Sequence, residues 1–178
     1  MTVSPVAVIT GASSGIGRAT ALHLAELGYR VGVGYRAQAE AAKDVVESVH
    51  AAGSEAVAFQ VDLAEPAAAA AAVEAVTDEL GGLDAFVNNA GVNRRGHILE
   101  ETVEDFERVL AIDLTGPFAC AQAAARRMVE QGRGGRIVNV SSVHEMIPIM
   151  GGSAYCAAKG GLGMLTQVMA LELAAHGI

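Results

Sequence analysis

Short apolar runs alternate with longer helical segments along the whole chain. Runs rich in valine, isoleucine and alanine predict buried strands, and segments with apolar residues every three or four positions predict helices. The predicted strands are 6–9, 30–35, 56–61, 85–87 and 137–140, and the predicted helices are 16–27, 37–52, 66–80, 102–131 and 153–175. This alternation predicts an α/β protein with a doubly wound parallel sheet covered by helices on both faces.

Glycine and proline mark the ends of several predicted helices. Gly28 and Gly53 follow the first two helices, where glycine commonly ends a helix. Pro66 stands at the start of the alanine-rich third helix, because the first helical turn needs no N–H from it. Pro117 lies inside helix 102–131, and we expect it to kink that helix.

Composition narrows the class of protein. The chain has 178 residues, of which 52% are hydrophobic and only 4% aromatic, so we expect one domain, 1–178, with an aliphatic core. The net charge of −8 argues against nucleic acid or an anionic membrane surface as the main partner.

Location and metal content are predicted from what the sequence lacks. We find no basic leader and no apolar run of membrane-spanning length, and therefore expect a cytoplasmic protein. Cys120 and Cys156 are the only cysteines, and neither lies among residues with metal-ligand spacing. We expect two reduced thiols and no metal site.

A glycine-rich segment joins the first predicted strand to the first predicted helix. An open parallel sheet binds a dinucleotide at this position, because glycines let the backbone approach a pyrophosphate and helix N–H groups face its charge. A plain tight turn is the alternative. The candidate cofactor residues of the segment are Gly11, Ser13, Ser14, Gly15, Ile16 and Gly17.

Residues at the ends of the second and third strands bear on the choice of cofactor. An NAD-binding protein usually has an acidic residue after the second strand, whereas this chain has Tyr35 and Arg36. A guanidinium suits a 2′-phosphate, so the sequence favours NADP, with NAD as the alternative. Arg36 could instead be a solvated strand-end charge. Asp62 and Leu63 follow the third strand, and Asp62 either accepts a hydrogen bond from adenine or caps the helix at Pro66.

Tyr155 and Lys159 are four residues apart in a predicted helix, so their side chains share one face. A phenol ordinarily ionises near pH ~10, and a nearby ammonium favours the phenolate, which makes tyrosine a usable proton donor and acceptor. Ser142 follows strand 137–140, where its hydroxyl could lie beside the phenol. For the pair alone, two unrelated residues on a helix surface are the alternative.

Five short motifs occur in one order along the chain. They are Thr10-Gly11-x-x-x-Gly15-Ile16-Gly17, Asp62-Leu63, Asn88-Asn89-Ala90-Gly91, Ser141-Ser142 and Tyr155-x-x-x-Lys159. Together they resemble the short-chain dehydrogenase/reductase family over nearly the whole chain, and the segment 141–145 resembles its glucose-dehydrogenase and diacetyl/acetoin-reductase branches. The resemblance implies a Rossmann-like sheet with strand order 3-2-1-4-5. It also implies a C-terminally short member, because family members continue with two more strands and a substrate loop.

The resemblance implies a role for each matching position. Tyr155 would be the catalytic acid/base in hydride exchange between NAD(P) and an alcohol or carbonyl. Ser142 would hydrogen-bond the substrate oxygen, and Lys159 would stabilise the phenolate and bind the nicotinamide ribose. The residues that would line the cofactor cleft after the fourth strand are Asn88, Asn89, Ala90 and Gly91.

Asp113 departs from the family pattern. The family usually has an asparagine there, which helps to hold a water in a proton relay to the lysine. An ionised aspartate accepts hydrogen bonds but donates none, so the relay is either altered or carried by the backbone carbonyl at this position. We keep Asp113 as a candidate catalytic-site residue.

The resemblance further implies a homo-oligomer formed through helices 102–131 and 153–175. The implied substrate is a small alcohol or carbonyl compound, such as a sugar, a diketone or an oxoacyl thioester. One alternative is a protein that binds the cofactor without turnover. Another is an epimerase or dehydratase of the extended relatives, which the three-residue gap between Gly11 and Gly15 disfavours. His144 is expected to be an ordinary loop histidine, and the apolar edge of strand 137–140 is an aggregation risk.

Overall fold

In the computed structural model, which describes residues 4–178, five parallel strands form one sheet in the order β3-β2-β1-β4-β5. The strands are β1 (Val6–Ile9), β2 (Arg30–Tyr35), β3 (Ala56–Gln60), β4 (Ala85–Asn88) and β5 (Arg136–Asn139). The predicted fold class and strand order are confirmed. The first three residues of the predicted leaderless N-terminus lie outside the described residues.

Helices cover both faces of the sheet. They are α1 (Gly15–Glu26), α2 (Ala39–Ala51), α3 (Pro66–Glu79), α4 (Val103–Leu110), α5 (Gly116–Gln131) and α6 (Ser153–Leu173). Successive side chains of a strand point to opposite faces. Val6 and Val8 of β1 accordingly pack with α3 and α5, whereas Ala7 and Ile9 pack with α1 and α2. All four are fully buried, which explains why β1 is a continuous apolar run.

The segment predicted as one helix, 102–131, is helical from Val103 to Gln131, but a π-helical turn divides it into two α-helices. Helices α4 and α5 are separated by a π-helical turn, Ala111–Thr115, in which the Gly116 N–H donates to the Ala111 carbonyl five residues back. Pro117 has no N–H, so it cannot continue the ordinary pattern of helical hydrogen bonds at this point. The helix is therefore widened locally at the residues that precede Pro117.

Close packing accompanies the π-helical turn. A Cβ added to Gly116 would lie 2.5 Å from the Leu63 carbonyl oxygen, so glycine lets the helix approach the loop after β3. The turn buries Ile112 and Asp113 beneath the carboxyl edge of the sheet. An acidic side chain is thereby placed in the interior, where it needs polar partners.

Strand β5 forms one edge of the sheet and pairs with β4. Val138 on this strand is 50% exposed, in keeping with the expected apolar edge. The short helical turn Ala174–His176 follows α6. Within residues 4–178, no helix combines the length and hydrophobicity needed to cross a bilayer.

Candidate functional site

Thr10, the buried residue that follows β1, joins two loops at the carboxyl edge of the sheet. Its hydroxyl oxygen accepts hydrogen bonds from the backbone N–H groups of Asn89 (3.0 Å) and Ala90 (3.1 Å). In return, the Asn89 side-chain amide donates to the carbonyl oxygens of Thr10 and Gly11 at 3.0 and 3.1 Å. These bonds fix the loop after β1 against the loop after β4.

Glycines permit the close approach of these two loops. Gly11 has φ +65°, and a Cβ there would lie 2.9 Å from the Ala90 Cα atom. A Cβ on Gly17 would collide with the Gly11 carbonyl oxygen. Helix α1 begins at Gly15 without a side-chain hydrogen bond from its N-cap residue, Ser14. The first N–H groups of α1 therefore suit an anion, and the loop fits the pyrophosphate of a dinucleotide.

A cleft of about 490 Å³ lies along this edge of the sheet. Nine of the predicted cofactor residues line it: Gly11, Ser13, Ser14, Arg36, Asp62, Leu63, Asn89, Ala90 and Gly91. Gly15, Ile16, Gly17 and Tyr35 are not among the lining residues; Ile16 is 68% exposed and Tyr35 packs against the core on the α1–α2 side. Sequence reasoning missed five lining residues, namely Ala37, Gln38, Val61, Val92 and Ile112.

The structure bears on the alternatives that the sequence left open for Arg36 and Asp62. Arg36 is exposed on the cleft wall, and within residues 4–178 its guanidinium forms no ion pair with a carboxylate. Asp62 does not cap helix α3, because the N-cap residue is Glu65. Its Oδ1 instead accepts a hydrogen bond of 3.0 Å from the Ala64 N–H, and the residue remains on the cleft wall.

Lys159 is buried on α6 beside Tyr155. Its ammonium lies 5.7 Å from the centroid of the Tyr155 ring and donates a hydrogen bond of 3.2 Å to the Val140 carbonyl, just after β5. Burial lowers the pKa of Lys159 from its ordinary value, and the negative charge of Asp113 opposes this shift. The helical spacing predicted from the sequence thus brings a cation next to the phenol.

Asp113 lies on the other side of Lys159. Its Oδ1 accepts a hydrogen bond of 2.8 Å from the Val92 N–H, and its Oδ2 is 3.9 Å from the Lys159 ammonium. Oδ2 is buried and has no hydrogen-bond partner. Burial raises the pKa of Asp113, while the Val92 N–H and the Lys159 charge act in the opposite direction. Asp113 and Lys159 therefore form a buried pair of opposite charges.

Ser142 and His144 lie in the loop after β5. The Ser142 hydroxyl oxygen accepts a hydrogen bond of 3.2 Å from the His144 N–H and caps the short helical turn Val143–Glu145. The His144 ring is in edge contact with the Tyr155 ring, with centroids 6.2 Å apart. His144 was expected to be an ordinary loop residue, but it belongs to the surroundings of Tyr155.

The loop after β4 is attached to the start of α6. The Gly96 N–H donates to the Gly151 carbonyl at 3.0 Å, and the Ser153 hydroxyl donates to the Glu101 carboxylate. These contacts fix the first turn of the helix that carries Tyr155. Nothing in the local pattern around Glu101 indicated this partner, because the two residues are far apart in the chain.

Asn88 does not line the cleft, contrary to the implied role. Its amide is buried and donates to the Pro117 carbonyl (3.0 Å) and to the Asn139 side-chain oxygen (2.9 Å). These hydrogen bonds link β4 to β5 and to α5. Within residues 4–178, no group of three or more histidine, cysteine or acidic side chains is placed to hold a metal ion.

Comparison with known proteins places this geometry in a family. Residues 5–178 match the family described as short chain dehydrogenase. An uncharacterized oxidoreductase, YohF of Escherichia coli K12, is 43% identical over 99% of this chain and 70% of its own length. Acetoin dehydrogenase from Enterobacter cloacae superposes with a TM-score of 0.97 at 44% identity, covering 99% of this chain and 70% of that one. A short chain dehydrogenase from Burkholderia cenocepacia in complex with NADP gives a TM-score of 0.92 at 40% identity, covering 98% of this chain and 70% of that one. The chain belongs to the short-chain dehydrogenase family.

Proposed function

We propose that this chain is an NADP-dependent oxidoreductase that interconverts an alcohol and a carbonyl compound, with NAD as the alternative cofactor. The observation that carries the proposal is the buried Lys159 ammonium 5.7 Å from the centroid of the Tyr155 ring. A tyrosine beside a buried ammonium is an arrangement suited to general acid–base catalysis, and Tyr155 is the side chain we assign to proton transfer. The NADP complex of the Burkholderia relative supports the choice of cofactor.

The cofactor would be held along the cleft. Gly11, Ser13 and the N-terminus of α1 would face the pyrophosphate. Arg36 would bind the 2′-phosphate, and Asp62 with Leu63 would contact the adenine. When bound, NADP supplies or accepts the hydride; the protein orients it and handles the proton.

Proton transfer is assigned to Tyr155. In the reductive direction its hydroxyl donates a proton to the carbonyl oxygen, and in the oxidative direction the phenolate takes the alcohol proton. Ser142 accepts a hydrogen bond from the His144 N–H, so its own hydroxyl proton is available to donate to the substrate oxygen. Lys159 stabilises the phenolate and would also bind the nicotinamide ribose.

Asp113 is assigned to the same site through Lys159. Its carboxylate lies 3.9 Å from the ammonium and favours the protonated lysine. The Val92 N–H holds the other carboxylate oxygen and so fixes the distance between the two charges. Asp113 would thereby keep Lys159 charged despite its burial.

We also propose that 1–178 acts as one nucleotide-binding domain and self-associates through α4, α5 and α6. Large apolar side chains are exposed on these helices, with Val103 at 66%, Phe118 at 43%, Met164 at 60% and Leu171 at 82%. Exposed apolar area of this kind is typical of protein interfaces. The substrate would be a small alcohol or carbonyl compound, with sugars, diketones and oxoacyl thioesters as the first to test.

The decisive experiment replaces Tyr155 by phenylalanine. We expect turnover on a carbonyl panel to fall by at least about a thousandfold, because general acid–base catalysis is lost. NADPH binding, followed by nucleotide fluorescence, should change little. Tyr29→Phe is the matched control. Tyr29 immediately precedes β2, so it lies at the amino end of the parallel strands, whereas the site lies at their carboxyl end.

Two results would contradict the proposal. Retained turnover in Tyr155→Phe would remove Tyr155 from the chemistry. NADPH binding by the wild-type protein with no turnover on any member of the panel would favour the alternative of a cofactor-binding protein without catalysis.

A further inference from the structure

A second cavity, of about 330 Å³, continues the cofactor cleft. We call it the arginine groove; its lining residues are Arg36, Val92, Asn93, Arg94, Arg108, Val109 and Ile112. Arg36, Val92 and Ile112 line both cavities, so the groove opens from the Arg36 end of the cleft. Neither lining includes Tyr155 or Ser142, and an anion held in the groove would therefore lie away from the proposed reacting atoms.

The arginine groove is positively charged in an acidic protein. Three guanidinium groups and no carboxylate line it, whereas the whole chain carries a net charge of −8. Arg94 is compensated by an ion pair of 2.5 Å with Asp105. Within residues 4–178, Arg36 and Arg108 form no such pair. Two uncompensated cations at one cavity repel each other, and an anion between them removes that repulsion.

Helix α4 holds Arg108 in place at the groove. The Asp105 N–H donates to the Thr102 side chain at 3.1 Å, which caps the helix, and the Arg94–Asp105 pair fastens the helix to the loop after β4. Arg108 lies one turn before Ile112 and on the same face. Since Ile112 lines both cavities, Arg108 is presented beside the junction with the cleft.

We infer that the arginine groove binds the 2′-phosphate of NADP, and that Arg108 acts with Arg36 to select NADP over NAD. Guanidinium groups match phosphate oxygens in charge and in fork geometry. Val92, Val109 and Ile112 supply the apolar part of the groove lining. The inference rests on the proposed function, in which Arg36 alone is assigned to the 2′-phosphate.

The test compares two small nucleotides that differ in the phosphate concerned. Binding of adenosine 2′,5′-bisphosphate and of adenosine 5′-monophosphate is measured by calorimetry for the wild type, Arg108→Gln, Arg108→Lys and Arg36→Gln. Arg126→Gln is the matched control, because Arg126 is exposed on α5 and lines neither cavity. These measurements need no turnover, so they do not depend on finding the substrate.

We expect Arg108→Gln to weaken binding of the 2′,5′-bisphosphate by at least about tenfold, the usual loss for a hydrogen bond to a charged group. Binding of the 5′-monophosphate should stay within about twofold of the wild type. Arg108→Lys should lose less, because the charge remains. The inference would be overturned if Arg108→Gln kept the wild-type affinity for the bisphosphate while Arg36→Gln lost affinity for the bisphosphate alone. That result would leave the proposed cofactor intact. No selective loss in Arg36→Gln, or equal binding of both nucleotides by the wild type, would overturn the NADP assignment as well. Equal losses of both nucleotides in Arg108→Gln would also overturn the inference.

Discussion

Replacement of Asp113 by asparagine tests the buried ion pair of the site directly. The two side chains have nearly the same shape, and the amide oxygen can keep the hydrogen bond from the Val92 N–H, which is 2.8 Å long in this structure. The change removes the carboxylate charge that lies 3.9 Å from the Lys159 ammonium. The fold should accommodate the change, because the two side chains have nearly equal volume.

The distance sets the size of the effect. With an effective dielectric constant of about 20, two unit charges 3.9 Å apart attract by about 4 kcal/mol, which is an upper limit on what Asp113 gives to the charged lysine. Burial raises the pKa of Asp113, so the carboxyl group is protonated over a wider range of pH and the average contribution is smaller. A tenfold effect on rate corresponds to about 1.4 kcal/mol, well inside this limit.

The direction in which the pH profile should move follows from the pKa shift of Lys159 and its causes. Burial lowers the pKa of Lys159 and the Asp113 charge opposes this, so removal of the charge lowers the pKa of Lys159 further. If the ammonium is needed for turnover, activity is lost as pH rises through that pKa. We therefore expect the alkaline side of the pH profile to move to lower pH in Asp113→Asn.

The assay is kcat/KM for carbonyl reduction from about pH 5 to about pH 10, with NADPH binding measured in parallel. At alkaline pH the variant should be at least about tenfold slower than the wild type. Toward acid pH the two profiles should converge, because a protonated Asp113 carries no charge. Profiles that coincide at alkaline pH, or a difference of the same size at every pH, would refute the electrostatic reasoning.

Three further substitutions test other parts of the structure. Gly17→Ala should lower the free energy of unfolding by about 1–3 kcal/mol and abolish NADPH binding, because the added methyl collides with the Gly11 carbonyl oxygen. Gly160→Ala is its control, since a Cβ there meets its nearest neighbour at 3.5 Å, and equal losses in both variants would reject the steric argument. Leu171→Glu, at a side chain that is 82% exposed on α6, should reduce the molar mass measured by light scattering; an unchanged mass would exclude this part of α6 from the interface. Val138→Lys, on the edge strand β5, should slow aggregation measured by turbidity, because a charge on an edge disfavours strand addition; faster aggregation would point to another surface.

The sheet could be predicted from the sequence because each strand is a short apolar run between helical segments. Residues Val6 to Ile9 are all buried, so both faces of β1 require apolar side chains and the run is continuous. Motif spacing predicted the site equally directly where both partners belong to one element. Tyr155 and Lys159 share a helix, and their separation of four residues already fixes their common face.

The features that could not be predicted from the sequence are contacts between segments that are far apart in the chain. Ile112, which lines the cleft, lies in the widened Ala111–Thr115 turn, and the adjoining Gly116 packs against the loop after β3. Helical periodicity continues through this segment, so the pattern of apolar residues does not indicate the change. The link between Glu101 and Ser153 is likewise invisible to local reasoning, since 52 residues separate the two side chains.

The positive charges of Lys159 and of the arginine groove are balanced in different ways. Lys159 has a partner carboxylate within the protein, and the Asp113 charge favours its protonated form whether or not a cofactor is present. At the arginine groove, Arg36 and Arg108 have no partner carboxylate in the described chain, so a bound anion would be the group that balances them. A charge that acts on a proton has to persist through the whole reaction, whereas a charge that selects a ligand discriminates best when the ligand alone neutralises it. This difference is why Asp113 is expected to affect the pH profile, and Arg108 the discrimination between nucleotides.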